Sequence, residues 1–337
     1  MRLLPAAFHD TISSVQPVVD WMIRDHVKGA TVAVIHSGEI AYTGQYGMSS
    51  LADTKVKETT LFECASLTKM HFAALALKLC EDGLFTLDVP VMQQFRTDPW
   101  SNDPRFYQIT PRHILSHSSG LPNWSNRPMP MLFAPGDHFN YSGEGYYLLQ
   151  QMLEKLTGYS LDHLMDTNLF HPLGMNATVL WTPEVGFHFS CGFDAEGKVC
   201  KIRDRRRISG NAPEPNAAWS LYSNASSIAR FLSWLLVHHA GLGSIMFSEM
   251  TRPCADAGNH VFWGLGTGMC SDDPQIIWHW GDNLGFQSFI LGDLATKDGL
   301  VVVTNSSCGL EFCLHLVSEW TDFQGISSIR AFLKTAE

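Results

Sequence analysis

The chain has 337 residues, 45% hydrophobic and 17% charged, and its 23 Lys+Arg against 33 Asp+Glu leave a formal net charge of −10. That length fits two domains or one large domain with an insertion, and an aromatic share of 11% excludes a disordered polymer. An acidic surface repels phosphate backbones, so no nucleic-acid partner is expected, and no run of about 18 apolar residues is present to span a membrane.

In chain order, the first ten residues are too short an apolar stretch for a secretory leader, because His9 and Asp10 interrupt it. A cytoplasmic location is the expectation. Ile12, Val15, Val18, Val19, Met22 and Ile23 have the spacing of an amphipathic helix over 10–27. Two β-rich runs, 30–35 and 40–44, flank His36-Ser37-Gly38-Glu39 and predict a hairpin. Helices are predicted over 66–83, 143–156, 160–168 and 226–240, with Gly83 and Gly158 as stops. Strands over 286–291 and 300–304 and a closing helix over 310–323 complete the chain. The pattern predicts an α+β fold: one sheet built from both chain ends and flanked by helices, plus an inserted, mainly helical lobe. The sheet lobe takes 1–65 and 210–337, the helical lobe 66–209, and a site is expected at the seam between them.

The eight cysteines contain no C-x-x-C pair and read as free, mostly buried thiols. Asn140, one of five N-x-[ST] sequons, directly precedes a candidate catalytic tyrosine, so a glycan there would block the site. The charged run from Lys201 to Arg207 reads as a solvated loop. His113 and His117, at i and i+4, have a spacing that zinc can use, but no third ligand is evident and no metal is expected. His238-His239 stand at a helix end, where His favours the dipole.

Three segments carry chemistry. Ser66-Leu67-Thr68-Lys69 opens the predicted 66–83 helix, and residues three apart share a helix face. A serine needs a neighbouring base to become a nucleophile, and a lysine buried under apolar neighbours can have its pKa depressed enough to serve. Tyr141, in the turn before the 143–156 helix, can project into an interlobe cleft. In Trp278-His279-Trp280-Gly281, His279 can donate to a substrate carboxylate or to the tyrosine, and Gly281 permits a ligand to approach the chain's backbone closely. Trp124, Trp278 and Trp280 are equally suited to walling the cleft and to packing a core. Glu63 and Glu144 lie beside the motifs without being assigned the acid/base role. Cys64, two residues before Ser66, is the cysteine of interest.

In this order and spacing the segments resemble the serine β-lactamase and penicillin-binding protein superfamily, for which S-x-x-K is a signature. The likeness is greatest to the class C branch with its D-aminopeptidase, DD-carboxypeptidase and family VIII esterase relatives. Residues 109–122, containing His117-Ser118-Ser119-Gly120-Leu121-Pro122, and Pro172-Leu173-Gly174-Met175 also resemble that branch, as do residues 217–231. The resemblance implies the β-lactamase/transpeptidase-like fold, Ser66 as the acylated nucleophile, and Lys69 and Tyr141 as the proton-moving pair, their division of labour left open. It implies His279 and Gly281 at the first and third positions of Lys-Thr-Gly, and an oxyanion hole from the backbone N–H groups of Ser66 and Asp282. Gly143 stands where the family usually has Asn, which implies weaker grip on an acyl-side amide and a wider cleft there; Trp280 and Gly281 complete the expected substrate-binding set. His279 in place of Lys carries a weaker, conditional charge.

The expected function is therefore a cofactor-free serine hydrolase forming a Ser66 acyl-enzyme with a small-molecule amide, peptide (D-configured peptides included) or ester. A β-lactamase, an acyltransferase or cyclase of the same fold, and a catalytically retired ligand- or partner-binding member stay open, as does the oligomeric state.

Overall fold

A computed structural model describes residues 16–50, 54–180, 188–201, 215–237 and 244–336. An eight-stranded antiparallel sheet forms its centre, in the order Glu39–Gly47, Gly29–His36, Gly299–Thr304, Phe286–Asp293, Asp273–Asn283, Gly268–Cys270, Val261–Trp263 and Ala255–Gly258. Ile35 pairs with Ile40 and His36 with Glu39, leaving Ser37 and Gly38 as the hairpin loop. Both have positive φ, 51° and 88°, as the backbone twist of a tight hairpin requires.

Alternation along the strands sends side chains into two cores. From the first strand, Ala33 and Ile35 join one cluster while Val32 and Val34 join the other. The first cluster lies under the helices Leu67–Glu81, Gly143–Thr157 and Ala225–Val237. The second lies under Gln16–Arg24, Gly309–Trp320 and Ile326–Ala336. The Leu67–Glu81 helix is buried at every position from Leu67 to Leu77, so it is apolar nearly all round, as a central helix must be. A short strand, Thr60–Glu63, pairs with His188–Phe189 and Tyr222–Ser223 and delivers the chain to that helix.

The α+β arrangement is as expected, with differences at the margins. The closing helix ends at Trp320, and a second one, Ile326–Ala336, follows it. The helix expected over 160–168 is α-helical only over Leu161–Met165 and continues as a wider π turn to Phe170. His238-His239 and Arg203 to Arg207 lie outside the described residues. No two of the eight cysteines are joined by a disulfide. Among the described residues no helix is long and apolar enough to cross a membrane.

Candidate active site

The Thr60–Glu63 strand ends in a turn, Cys64-Ala65-Ser66, that opens directly into the Leu67–Glu81 helix. The Cys64 N–H donates to the Leu221 carbonyl at 2.8 Å, and the Cys64 carbonyl accepts from the Leu67 N–H (3.2 Å) and the Ser288 hydroxyl (3.0 Å). Ala65 is held at φ 49°, a left-handed conformation that costs a non-glycine residue about 1–3 kcal/mol and persists only where its surroundings over-determine it. The result is a half-buried Ser66 at the N-terminal end of the helix, aimed into a cleft of about 560 Å³. The Cys64 thiol is buried and points back to the Phe62 carbonyl, and burial holds it far above the thiolate range, so it stays a thiol.

Lys69 is 1% exposed. Its Nζ lies 3.1 Å from Ser66 Oγ and donates to the Ala218 carbonyl at 2.8 Å. Burial alone brings its pKa down to about 7. The Tyr141 and Tyr146 rings, 4.6 and 5.7 Å away, present faces that soften the cost of the charged form. The Ala218 carbonyl is itself fixed: Ala217 N–H donates to Gln150, Ala218 N–H to Asn216 and Leu221 N–H to the Thr68 hydroxyl. The amine therefore sits on a rigid acceptor beside the serine.

Tyr141 is 9% exposed, packs at a tilt against Trp280 with centroids 4.9 Å apart, and lines the cleft. Burial raises its pKa and the nearby Ser66 hydroxyl lowers it, with burial the larger effect. His279 is fully buried and lies off the cleft wall; its Nδ1 contacts the Trp280 carbonyl at 2.7 Å. Burial, with Lys69 beside it, pulls its pKa down to about 3, so it is neutral and cannot supply the conditional charge expected of it.

Two glycines act differently from expectation. A Cβ on Gly143 would run into the indole of Trp124, so the cleft is not widened at that point: a tryptophan from the preceding loop fills the space. A Cβ on Gly281 would collide with the Cys64 carbonyl and the Ser288 hydroxyl and meet Ala65 Cβ at 3.1 Å. Gly281 thus lets the strand close on the Ser66 turn rather than making room for a ligand. Of the three tryptophans, Trp278 is core, whereas Trp124 and Trp280 line the cleft. Glu144 accepts from Ser125 N–H at 3.3 Å and ties down the Trp124 loop. Ser116 to Ser119 form the bend beyond the Pro111–Leu115 helix, whose capping box uses His113, while His117 turns toward Ser142. The two imidazoles do not converge on a shared ligand.

Sequence reasoning missed the opposite wall. Lys201, read as part of a solvated run, ends the Val199–Lys201 strand and reaches the cleft, where its Nζ lies 2.7 Å from buried Glu63. Asn283 donates to the same carboxylate. Asn123, Trp219 and Leu284 also line the cleft. The short β-prone runs Thr60–Glu63 and Val199–Lys201 were the available signals, too short to stand alone.

The beta-lactamase family model matches residues 15–311. The chain belongs to the beta-lactamase family. Among curated relatives of this beta-lactamase family member, penicillin-binding protein 4* of Bacillus subtilis is 29% identical over 53% of this chain and 44% of its own length. Esterase EstB of Burkholderia gladioli is 25% identical over 86% of this chain and 89% of its own. The chain thus spans less than half of the first of these relatives. The octameric penicillin-binding protein homologue from Pyrococcus abyssi superposes with a TM-score of 0.75 at 22% identity, covering 90% of this chain and 76% of that one, which shows the fold. The family is one of serine hydrolases, including esterases, peptidases and penicillin-binding proteins.

Proposed function

We propose that this family member is a serine hydrolase that forms an acyl-enzyme on Ser66 with a small ester or amide whose acyl part is apolar or aromatic. The carrying observation is the buried Lys69 amine, about 7 in pKa and 3.1 Å from the Ser66 hydroxyl. In its neutral form the amine keeps one N–H on the Ala218 carbonyl and turns its lone pair to Ser66, which passes it a proton while Oγ bonds to the substrate carbonyl carbon. Tyr141 remains a phenol near neutrality because burial raises its pKa, so it suits proton donation to the leaving group. This divides the work that the sequence left shared.

The oxyanion falls to the backbone N–H groups of Ser66 and Asp282. Ser66 opens a helix, and Asp282 lies beyond the stretch that Gly268–Cys270 pairs with, on the strand that Gly281 lets close on the Ser66 turn. Losing one such donor costs about 2.7–4 kcal/mol of transition-state stabilisation. Trp124 in the place of an amide side chain favours an acyl group that stacks over one that needs an amide grip. A second reading, a short peptide with a terminal carboxylate, draws on Lys201 and Asn283 at the cleft, which would have to share with the substrate the donors that now serve Glu63.

The test is whole-protein mass spectrometry after exposure to a fluorophosphonate and, separately, to a penicillin. A single adduct on Ser66, absent in Ser66→Ala, is the expected result. A wild-type protein that stays unmodified overturns the proposal.

A further inference from the structure

His117 and Tyr141 are more closely bound than a motif match would suggest. The His117 backbone carbonyl accepts from Asn140 N–H at 2.7 Å, and its ring Nδ1 accepts from Ser142 N–H at 3.0 Å. One residue thus holds the backbone N–H groups of both neighbours of Tyr141, and its ring packs, tilted, against the phenol with centroids 4.2 Å apart.

These bonds also fix protons. An imidazole nitrogen that accepts from an amide carries no hydrogen, so neutral His117 bears its proton on Nε2. A carbonyl only accepts, so His279 bears its proton on Nδ1, toward the Trp280 carbonyl, and its Nε2 is a bare lone pair. Both rings are fully buried and burial keeps both neutral. The two Nε2 atoms and the Tyr141 hydroxyl are all buried without a hydrogen-bond partner of ordinary geometry. Both imidazoles pack on Trp263, with centroids 5.5 and 5.3 Å away, and both flank Tyr141. Trp263 Nε1 is buried and unpartnered too, so four unpaired polar atoms lie on a group of mutually contacting buried rings, which is rare in folded proteins. Two are donors (His117 Nε2–H and Trp263 Nε1–H), one is an acceptor (His279 Nε2) and one is either (the Tyr141 hydroxyl), which is the complement a single buried water satisfies.

We propose that His117 and His279 form a matched donor–acceptor pair behind Tyr141, joined Nε2–H to Nε2 through one buried water, and that the pair fixes the phenol toward Ser66. Both are positioning residues, and the inference rests on the Ser66 acyl-enzyme reading for its kinetic consequence only.

Nitrogen-15 NMR of the intact, unreacted protein labelled on histidine tests the pair itself. The expected spectrum has one buried imidazole protonated on Nε2, lost in His117→Asn, and one protonated on Nδ1, lost in His279→Asn, with the His117 Nε2 proton shifted downfield by a hydrogen bond. The same tautomer at both rings overturns the pair, as does an upfield His117 Nε2 proton seated on the Trp263 face. Asparagine suits the kinetic arm because its amide mimics the Nδ1 edge, keeping the bond to Ser142 or to Trp280, and deletes Nε2. Each variant is expected to slow Ser66 labelling by fluorophosphonate about tenfold or more. For ester turnover, kcat is expected to fall with KM within about twofold, and the double variant to be no slower than the worse single one. Additive losses, or unchanged rates, overturn the positioning role. A wild type that cannot be labelled defeats the acyl-enzyme reading, while the NMR result still decides the pair.

Discussion

The indole of Trp124 occupies the volume that any side chain at position 143 would need: a Cβ on Gly143 would overlap its six-membered ring and lie 2.9 Å from its Cε2. The two positions are exchanged parts of one wall. Trp124→Ala is expected to raise KM for aromatic-acyl esters about three- to tenfold while leaving kcat within about twofold, since it removes a stacking surface shared by ground and transition states. Gly143→Asn alone is expected to lower kcat/KM for the same esters at least tenfold. Adding Trp124→Ala to it should restore part of that loss, as steady-state kinetics will show.

Gly281 sits where a strand meets the Ser66 turn with no room for a methyl group. Gly281→Ala should cost about 1–3 kcal/mol of stability, the usual penalty of overpacking. It should also slow fluorophosphonate labelling of Ser66 more than a hundredfold, because it pushes Asp282 away from the oxyanion position proposed for its N–H. Thermal denaturation and labelling rates read the two effects separately.

The Lys69 amine, brought to about 7 by burial, sets a pH profile. Labelling of Ser66 should rise about tenfold per pH unit below that value and level off above it. Stability follows with a definite sign. The native amine loses its proton near 7 while the unfolded one keeps it to about 10.4. Between these values the unfolded chain binds more protons, so this group makes the protein more stable as pH rises through that window. Lys69→Met should remove that rise and reduce labelling about 10²- to 10⁴-fold. Denaturant midpoints at pH 7 and 9.5 test the first part.

Glu63 has a side chain with 0% exposure, while its partner Lys201 is 27% exposed. Removing one member of such a pair leaves a buried charge behind. Lys201→Met should therefore destabilise the protein by about 1–3 kcal/mol in urea denaturation, more than an exposed ion pair is worth. If the carboxylate-bearing peptide is the substrate, the variant should also raise its KM well above that of a neutral ester.

What the sequence made legible follows from how local each feature is. Ser66 and Lys69 share a helix face by spacing alone, and the 3.1 Å contact is what that spacing predicts. The hairpin around Ser37-Gly38 was equally local. The meaning of Gly143 was not, because it depends on Trp124 in another loop. The burial of His279 depends on Trp263 and the helix carrying Lys69, neither adjacent in sequence. The strands Ala255–Gly258, Val261–Trp263 and Gly268–Cys270 are three or four residues long, at or below the shortest length over which alternation can be read. The Ile326–Ala336 helix had a readable stripe in Ile326, Ile329 and Phe332, which pack on the tryptophan-rich face of the sheet, and it was overlooked.

The bond from Lys69 to the Ala218 carbonyl spans 149 residues, and that from Ser288 to the Cys64 carbonyl spans 224. A ribosome adding about 5–20 residues per second finishes Ser66 long before either anchor exists. For the first roughly 7–30 seconds the serine has no braced amine beside it, and its turn waits longer for the strand that clamps it. The serine is thus braced only late in synthesis, by contacts that the later part of the chain supplies.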